Sequence, residues 1–359
     1  MQICLIAGAR PNFMKLAPLA HALRRRGTPF RIVHTGQHYD EKMSQTFFDE
    51  LGIPHPDLNL EVGAGSVIWQ ITEIMRRLDE DLTTHRPDWL VVVGDVNSTL
   101  AAALVAAKTG IRLAHVEAGL RSRDLEMPEE VNRIIVDSCS DCLLASEQEG
   151  VDNLLNEGVS ADKVHLVGNV MIDTLVSHLE AARDRKTHEQ LGLAAGEYGL
   201  LTLHRPSNVD VREHLASIMH AVAEVSRDLP LVFPVHPRTR KQIEAFNIDL
   251  STMNLKVVEP LGYYGMLGLM DAARIVLTDS GGVQEETTAL RVPCLTLREN
   301  TERPSTIHVG SNQLVGWRHA DILSAYAKVM SQPPRIGQVP DKWDGKAAER
   351  IVDVLTSAT

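Results

Sequence analysis

Short apolar runs alternate with longer amphipathic stretches along nearly the whole chain. In the first half the apolar runs are QICLIAG, FRIVHTG, WLVVVGD, RLAHVEA, DCLLAS and VHLVGN. Each has the length of a buried strand. Between them lie stretches with helical spacing, such as Phe13–Arg26, in which Leu16, Leu19 and Leu23 recur on one face. This alternation predicts a parallel sheet built from βαβ units.

The second half of the chain restarts the same rhythm. Its apolar runs are YGLLTLH, PLVFPVH, LKVVEP, ARIVLTD and VPCLTL. Two such series in 359 residues predict two doubly wound α/β domains. We place the boundary near Asn169–Arg185, where the sixth run gives way to a helix and a polar segment. The C-terminal Lys346–Thr359 also has a helical pattern and can pack on either domain.

Composition and charge exclude several classes of partner. The net charge is −11, and the longest basic block is Arg24–Arg26, which argues against a nucleic-acid or anionic-membrane surface. The chain has no apolar run of about 20 residues, and Met1–Gly8 begins directly as a strand without a basic leader. Of the four cysteines, Cys139 and Cys142 form a lone C-x-x-C, for which packing is the favoured interpretation. We therefore expect a cytoplasmic protein.

The segment Ile275–Pro304 carries the clearest sign of a ligand site. Its apolar strand stops at Asp279, turns through Ser280-Gly281-Gly282 and enters a helical pattern. Glycines at a helix N-terminus let an anion approach the first N–H groups and the positive end of the helix dipole. The following Glu285 and Glu286 suit the hydroxyls of a ribose. The alternative is a capped helix with acidic residues in its first turn.

Chargeable residues follow nearly every predicted strand. Ligands of doubly wound sheets bind outside the carboxyl ends of the strands, so these residues are candidates for one site if the two domains face each other. In chain order they are Arg10, His38, Asp95, Glu117, Arg121, His204, Arg205, His236, Arg238, Asp279 and Arg298–Arg303.

The first strand-to-helix turn does not have the form of a dinucleotide site. Gly8–Asn12 lacks G-x-G-x-x-G, and no Walker A sequence occurs, so neither NAD nor ATP hydrolysis is indicated. Arg10, with Lys15 about one helical turn later, is placed to grip a diphosphate, with plain surface charge as the alternative.

Carboxylates and histidines supply candidates for proton transfer. Asp95 and Glu117 end apolar runs, where partial burial would raise their pKa, although a helix cap and a buried structural pair are the alternatives. His204 and His236 occupy corresponding strand ends and suit phosphate or acid–base work better than a core role. Spacing alone favours an exposed i, i+4 ion pair between Glu129 and Arg133.

Taken together, these residues resemble one known family, the non-hydrolysing UDP-N-acetylglucosamine 2-epimerases. The resemblance covers nearly the whole chain and rests on motifs in the family's order. They are G-A-R-P-N-F-M-K-L-A-P, T-G-Q-H, G-D-V-N-S-T, H-V-E-A-G-L-R-S, M-P-E-E-V-N-R, G-N-V-M-I-D, L-H-R-P-S-N, P-V-H-P, L-T-D-S-G-G-V-Q-E-E and T-E-R-P.

The resemblance implies a fold, an assembly and a reaction. The fold is two Rossmann-like domains in the GT-B arrangement, residues 1–170 and 171–345, with 346–359 crossing back to the first. A UDP-sugar would bind in the cleft between the domains of a homodimer. The implied reaction inverts C2 of the sugar by eliminating UDP to a 2-acetamidoglucal and adding it back, without metal, NAD or other cofactor.

The resemblance also implies roles for individual residues. It reverses the preference for a plain ion pair at Glu129 and Arg133. The implied catalytic residues are Asp95, Glu117, Glu129, Arg133 and His204. The implied diphosphate ligands are Arg10, His236, Ser280, Gly281, Gly282 and Arg303, with Lys15 an accompanying cation and Glu286 on the ribose.

Some positions depart from the family's pattern. Better-known bacterial members have T-R-P-E where this chain has A-R-P-N, and H-R-R-E where it has H-R-P-S. The place of an Arg that contacts an activating second UDP-sugar holds Gly63–Ser66, although Gln37 and His38 remain, so we predict weak or absent allosteric activation. The alternatives left open are an epimerase of 2,3-diacetamido uronic acids, a hydrolysing epimerase, a GT-B glycosyltransferase and a non-catalytic nucleotide-sugar binder.

Overall fold

The chain folds into two compact units. The computed structural model describes residues 1–8, 10–36, 52–333, 335 and 337–357, with only the backbone at residues 10 and 11. Unit 1 comprises Met1–Thr174 and Asp341–Thr359, and unit 2 comprises Leu175–Pro340. The boundaries expected from the sequence were residues 170 and 345, against 174 and 340 here.

Unit 1 is a parallel sheet with helices between its strands. The strand order is β3-β2-β1-β4-β5-β6-β7. Its strands are β1 Ile3–Ala7, β2 Phe30–His34, β3 Leu58–Asn59, β4 Trp89–Val93, β5 Arg112–Val116, β6 Cys142–Ala145 and β7 Val164–Leu166. Its helices are α1 Arg10–Arg25, α2 Val67–Thr84, α3 Asn97–Thr109, α4 Pro128–Cys139, α5 Gln148–Asn156 and a 3-10 turn at Ala161–Lys163. The helix α6, Val170–Asp184, runs across the boundary between the units.

Unit 2 repeats the plan with a second parallel sheet. The strand order is β10-β9-β8-β11-β12-β13. Its strands are β8 Gly199–Thr202, β9 Leu231–Pro234, β10 Leu255–Val258, β11 Ile275–Thr278, β12 Cys294–Thr296 and β13 Asn312–Leu314. Its helices are α7 Thr187–Gln190, α8 Pro206–Val209, α9 Arg212–Asp228, α10 Pro237–Ala245, α11 Tyr263–Ala272, α12 Gly281–Leu290, α13 Ser305–His308 and α14 His319–Met330. The apolar runs of the sequence are therefore confirmed as strands, whereas the two-residue β3 and the three-residue β13 were not anticipated.

Each unit has a topological switch point in its sheet. The strand order reverses between β1 and β4 in unit 1 and between β8 and β11 in unit 2. All four strands are almost entirely buried, as expected for parallel sheets covered on both faces. Crevices for ligands form outside the carboxyl ends of strands at such points. Of the candidate residues, Arg10, Asp95, His204 and Asp279 follow these four strands.

Unit 1 is completed by the C-terminal segment. The helix α15, Ala347–Ser357, packs on α1 and buries Ile351, Val352 and Leu355. Its first N–H groups donate to the carboxylate of Asp173, from Ala347 at 3.0 Å and from Ala348 at 2.7 Å. Residues Asp341–Thr359 therefore belong to unit 1. No helix among the described residues is long and apolar enough to span a membrane.

Candidate functional site

In unit 1, two predicted carboxylates follow neighbouring strands. Asp95 comes two residues after β4 and Glu117 directly after β5, and the strands pair in parallel with Val93 opposite Val116. The N–H of Gly94 donates to the Val116 carbonyl at 3.1 Å, which ties the two strand ends together. The sheet therefore brings Asp95 and Glu117 to one edge.

Glu117 is buried and held in an unusual conformation. Its φ is +72°, in the left-handed region that side chains other than glycine rarely adopt. The Lys15 ammonium lies 2.5 Å from Glu117 Oε2, and both side chains are buried. A side chain at Gly94, itself at φ +65°, would begin 2.8 Å from the Lys15 nitrogen. This glycine leaves the room that the ion pair needs.

Arg133 on α4 joins Asp95 to a third carboxylate. Its Nη1 lies 2.6 Å from Asp95 Oδ2, and its Nη2 lies 2.8 Å from Glu130 Oε2. Asn132, from the same turn, donates to the main-chain carbonyl of Asp95 at 2.8 Å. Helix α4 thereby fixes both the backbone and the side chain of Asp95.

Glu130 organises the loop that precedes α4. It is buried and accepts hydrogen bonds from the N–H groups of Ser122 and Arg123 as well as from Arg133. Burial alone would raise the pKa of Glu130, but these donors outweigh it and hold the pKa below its ordinary value. Glu130 is therefore a charged anchor for Arg133.

The ion pair that spacing favoured between Glu129 and Arg133 does not form. Glu129 is exposed in the first turn of α4, and Arg133 is turned toward Glu130 and Asp95 instead. The i, i+3 partner wins because Glu130 is buried beside Arg133, where an ion pair is screened less than at the surface. Glu129 has no hydrogen bond or ion pair within the described residues, so it is available to a ligand.

Of the two cations predicted at the start of α1, Arg10 and Lys15, the structure describes the side chain of Lys15. Arg10 begins α1, but its side chain lies outside the described residues, as do Gln37 and His38. Lys15 contacts the carboxylate of Glu117. That Lys15 also binds a diphosphate stays a prediction. Asn12 on the same helix donates to the Val93 carbonyl at 3.0 Å and accepts from the Gly8 N–H, which fixes α1 to the end of β4.

In unit 2, His204 and Asp279 form a pair at adjacent strand ends. His204 Nδ1 lies 3.0 Å from Asp279 Oδ1, and the N–H groups of His204 and Arg205 also donate to this fully buried carboxylate. Burial opposes ionisation, yet these contacts hold the pKa of Asp279 below its ordinary value. Asp279 thus holds His204, whose side chain is half exposed, by one ring nitrogen. The His236 ring lies beside it, with 6.1 Å between ring centroids.

A helix starts at Ser280–Gly282, where the sequence predicts an anion site. Helix α12 begins at Gly281, and Ser280 at its N-cap makes no side-chain hydrogen bond to the helix. The first N–H groups are therefore not capped by that side chain and suit an anionic ligand. His236 caps the neighbouring α10, where its Nδ1 accepts from the Arg238 N–H at 3.2 Å.

The two acidic residues of α12 have different surroundings. Glu285 is buried against Arg303, with 3.0 Å between Arg303 Nε and Glu285 Oε1. Burial and the neighbouring Glu285 raise the pKa of Glu286 to about 8, although the hydrogen bond with Tyr263 lowers this pKa. Glu286 is hence mainly neutral at pH 7 in this state. The roles of Arg303 on the diphosphate and Glu286 on the ribose stay predictions.

Sequence reasoning did not assign the buried partners of the site residues, although it named Asp279 among the strand-end candidates. These are Glu130 beside Arg133, Asp279 beside His204, and the pair His115–Asp137 beneath Asp95 and Glu117. The motifs that carried the resemblance contain three of the four, and the fourth, Asp137, lies one helical turn after Arg133. An acidic residue at helical spacing from a functional arginine was the available signal.

The residues of unit 1 suit proton transfer, and those of unit 2 suit anion binding. Unit 1 presents carboxylates with cationic partners, and unit 2 presents helix N–H groups with histidines. No group of three or more metal-ligating side chains stands together in the described ranges. Burial raises the pKa of the Cys142 thiol to about 12, which agrees with a packing role.

Comparison with known proteins gives consistent matches over the chain. The family model described as UDP-N-acetylglucosamine 2-epimerase matches residues 21–356. A UDP-N-acetylglucosamine 2-epimerase of Methanocaldococcus jannaschii is 41% identical, with 99% of each chain covered. A UDP-2,3-diacetamido-2,3-dideoxy-D-glucuronate 2-epimerase of Pseudomonas aeruginosa is 40% identical over 99% of each chain.

The solved structures agree with the fold. The crystal structure of the M. jannaschii UDP-GlcNAc 2-epimerase in complex with UDP-GlcNAc and UDP matches with a TM-score of 0.92 at 41% identity, covering 99% of this chain and 100% of that one. The predicted α/β fold of two doubly wound parallel sheets, of the GT-B-like class, is confirmed.

Proposed function

We propose that this chain, which belongs to the UDP-N-acetylglucosamine 2-epimerase family, inverts C2 of UDP-N-acetylglucosamine to give UDP-N-acetylmannosamine. The reaction needs a base for the C2 proton and a means of holding UDP as it departs. The C2 proton is not adjacent to a carbonyl and becomes acidic only as the C1–O bond breaks. Stabilising the leaving group is therefore as necessary as positioning the base.

The proposed route is elimination followed by re-addition. A carboxylate takes the C2 proton, the C–H electrons form the C1=C2 bond of a 2-acetamidoglucal, and the C1–O electrons leave with UDP. In the return step a UDP oxygen adds to C1 and a proton is delivered to the opposite face of C2. The route needs acid–base groups for two faces, and we assign them among Asp95, Glu117 and Glu129.

The observation that carries this proposal is the pair of cation-bound carboxylates at neighbouring strand ends. Lys15 lies 2.5 Å from Glu117 and Arg133 lies 2.6 Å from Asp95, so each carboxylate is held in place by a cation. Glu129, one residue before the anchor Glu130, is exposed and able to meet a ligand.

For the leaving group, unit 2 supplies most of the proposed diphosphate ligands. We assign the N–H groups of Ser280–Gly282, with His204 and His236 beside them, to the charge that develops on UDP. His204 is held through Nδ1 by Asp279, so its Nε2 is the nitrogen left for the ligand. We place Arg10 and Arg303 on the same diphosphate and Glu286 on the ribose.

A second candidate substrate is a UDP-2,3-diacetamido uronate, because the P. aeruginosa relative carries that name at 40% identity. The described charges favour the neutral sugar. Of four carboxylates in unit 1, three pair with two cations, Lys15 and Arg133, and the fourth, Glu129, is exposed. A sugar carboxylate brought to this net negative group would be repelled. The carboxylates are Asp95, Glu117, Glu129 and Glu130.

One experiment tests activity and route together. The protein is incubated with UDP-N-acetylglucosamine alone in D2O, and proton NMR follows the anomeric and C2 signals. We expect the manno epimer of the UDP-sugar with deuterium at C2. Free N-acetylmannosamine would instead indicate a hydrolysing epimerase, and an unchanged substrate that turns over only with an acceptor would indicate a glycosyltransferase. Retention of protium at C2 in the epimer would contradict the elimination route.

Substrate choice is tested by competition. With both UDP-sugars present, we expect kcat/KM for the uronate to be at least about tenfold lower, the effect of roughly 1.4 kcal/mol of repulsion. A higher value for the uronate would make it the substrate.

Two further properties follow as proposals from the family. Allosteric activation by UDP-N-acetylglucosamine is weak, because Gly63–Ser66 offers no cation and Ser66 caps α2 through the Trp69 N–H. A sigmoidal rate curve made hyperbolic by traces of UDP-N-acetylglucosamine would contradict this.

The chain also forms a homodimer, for which the exposed apolar residues Val67, Ile68 and Trp69 offer contact area. Light scattering measures its mass.

A further inference from the structure

A buried histidine–aspartate pair ties together the two turns that carry Asp95 and Glu117. His115 lies in β5, opposite Val92 of β4 and Leu143 of β6, and is fully buried. Its Nε2 lies 3.0 Å from the Gly94 carbonyl, and its Nδ1 lies 2.6 Å from Asp137 Oδ1. Asp95 follows Gly94 directly along the chain.

The other oxygen of Asp137 reaches the second turn. Asp137 Oδ2 accepts from the Gly119 N–H at 3.1 Å and from Arg121 at 2.7 Å. Gly119 has φ +80°, and a Cβ there would lie 2.1 Å from the Gly150 carbonyl, so the backbone is confined on both sides. Glu117 lies two residues before this glycine.

These contacts determine the protonation of the pair. A carbonyl oxygen only accepts, so His115 Nε2 carries a proton. Asp137 accepts from Arg121 and from an N–H group and is ionised, and these contacts together with His115 hold its pKa below the ordinary value despite burial. His115 Nδ1 lies 2.6 Å from this carboxylate, so both ring nitrogens of His115 have a hydrogen-bond partner.

Arg121 joins the pair to a second carboxylate. It also binds Glu157 through two nitrogens, at 2.9 and 2.6 Å. A fully bonded network of this kind is rigid.

We propose that His115 and Asp137 are positioning residues that set the placement of Asp95 and Glu117 through the backbone at Gly94 and Gly119. The catalytic part of this proposal rests on the proposed epimerase function. Gly94 and Gly119 both have positive φ. The hydrogen bonds of the pair end on the Gly94 carbonyl and the Gly119 N–H, so the pair restrains the backbone of both turns. Misplacing a base by about 1 Å costs on the order of a hundredfold in rate.

Isosteric substitutions separate the two hydrogen bonds of His115. In His115→Gln the side-chain amide reaches the position of Nε2 and keeps the bond to Gly94, whereas His115→Asn keeps the bond to Asp137. We expect kcat to fall about tenfold in each and about a hundredfold in His115→Leu, with KM and the Kd for UDP within about threefold of wild type. Equal loss in all three variants, or unchanged kcat in His115→Leu, would overturn the proposal.

A matched control is available in the same unit. His85 pairs with Asp81 at 3.1 Å on α2, but it is exposed and touches neither turn. His85→Gln is expected to leave kcat unchanged. If His115→Leu does not fold, the Gln and Asn variants decide by themselves.

A spectroscopic readout tests the pair without any enzyme activity. In protein labelled with 15N-histidine, we expect one ring N–H that exchanges slowly with D2O, because His115 is fully buried and its Nε2 donates to the Gly94 carbonyl. This signal should be absent from His115→Gln, and Asp137→Asn should speed its exchange. Rapid exchange of every ring N–H in the wild type would refute the pair. Wild-type protein that shows the protected ring N–H but no epimerase activity would refute the proposed function and the catalytic role, whereas an active wild type with unchanged variants would refute only the positioning role.

Discussion

Backbone strain at a single residue singles out Glu117. Among the described non-glycine residues with positive φ, Glu117 alone is buried, while the others lie at or near the surface. Such a conformation is costly by about 1–3 kcal/mol and persists only where the surroundings enforce it. Here the N–H of Glu117 donates to the Leu144 carbonyl at 3.0 Å, and Lys15 holds the side chain. Strain of this kind is typical of a functional carboxylate.

Replacing this carboxylate should stop the chemistry and spare UDP binding. In Glu117→Gln the amide cannot take a proton, so we expect kcat to fall by about 10²–10⁴ while the Kd for UDP stays within a few-fold. NMR measures the rate of epimer formation, and calorimetry measures the affinity. Glu80→Gln, an exposed residue that pairs with Arg76 on α2, is the control. A near-normal rate in Glu117→Gln would remove this residue from the catalytic set.

The opposite pattern is expected at the start of α12. Gly282→Asp places a negative charge in the first turn, where the diphosphate is proposed to bind, so the Kd for UDP should rise by roughly 10–100-fold. Gly282→Ala is the neutral control and should lose less affinity. Equal UDP affinity in Gly282→Asp and Gly282→Ala would place the diphosphate elsewhere.

At the scale of elements, local patterns located the helices and strands well, but not their side-chain partners. Helix α4 starts at Pro128 as its sequence predicts, because proline is tolerated in the first turn. Its charges were assigned wrongly, because helical spacing cannot tell Glu129 from Glu130 as the partner of Arg133. The choice depends on the loop at Ser122–Arg123, which buries Glu130.

The junction between α6 and α15 gives a prediction about pH. Burial raises the pKa of Asp173 to about 6 from 3.8, although the N–H groups of Ala347 and Ala348 oppose the shift. A carboxyl whose folded pKa lies above its unfolded value stabilises the fold most when protonated. Its contribution is therefore complete below about pH 4 and is lost as the pH rises through 6.

Denaturation of wild type and Asp173→Asn across this range measures the effect. From pH 4 to 7 the unfolding free energy of wild type should fall relative to Asp173→Asn, by on the order of 1–3 kcal/mol. Asp79→Asn, on the exposed face of α2, is the control. Its unfolding free energy should change with pH in the same way as that of wild type. A constant difference between wild type and Asp173→Asn would contradict a raised pKa.

At the scale of the molecule, the two units differ in how the chain builds them. Unit 2 is continuous in sequence, whereas unit 1 needs residues from both ends of the chain. Each has its own apolar core. Trp343, buried with its Nε1 donating to the Ser146 carbonyl at 3.0 Å, anchors the returning segment.

This difference predicts how fragments behave. Residues 170–340 should fold alone with a cooperative thermal transition. Residues 1–174 should unfold at a much lower temperature, because removing α15 exposes the apolar surface of α1, and each buried side chain lost costs about 1.5–3 kcal/mol. Adding a peptide of residues 341–359 should raise that transition. Circular dichroism follows both fragments, and a transition of fragment 1–174 that the peptide leaves unchanged would contradict the role of α15.

By itself, the sequence determined two parallel α/β sheets, the helix start at Gly281 and the polar residues at the strand ends. Those features follow from short-range periodicity and from residue types with fixed backbone preferences. Only the tertiary structure decided which charges meet. Lys15 pairs with Glu117 across 102 residues and Arg133 with Asp95 across 38, because strand order brings their elements together. Burial then sets how strongly each pair interacts, and no local pattern contains that information.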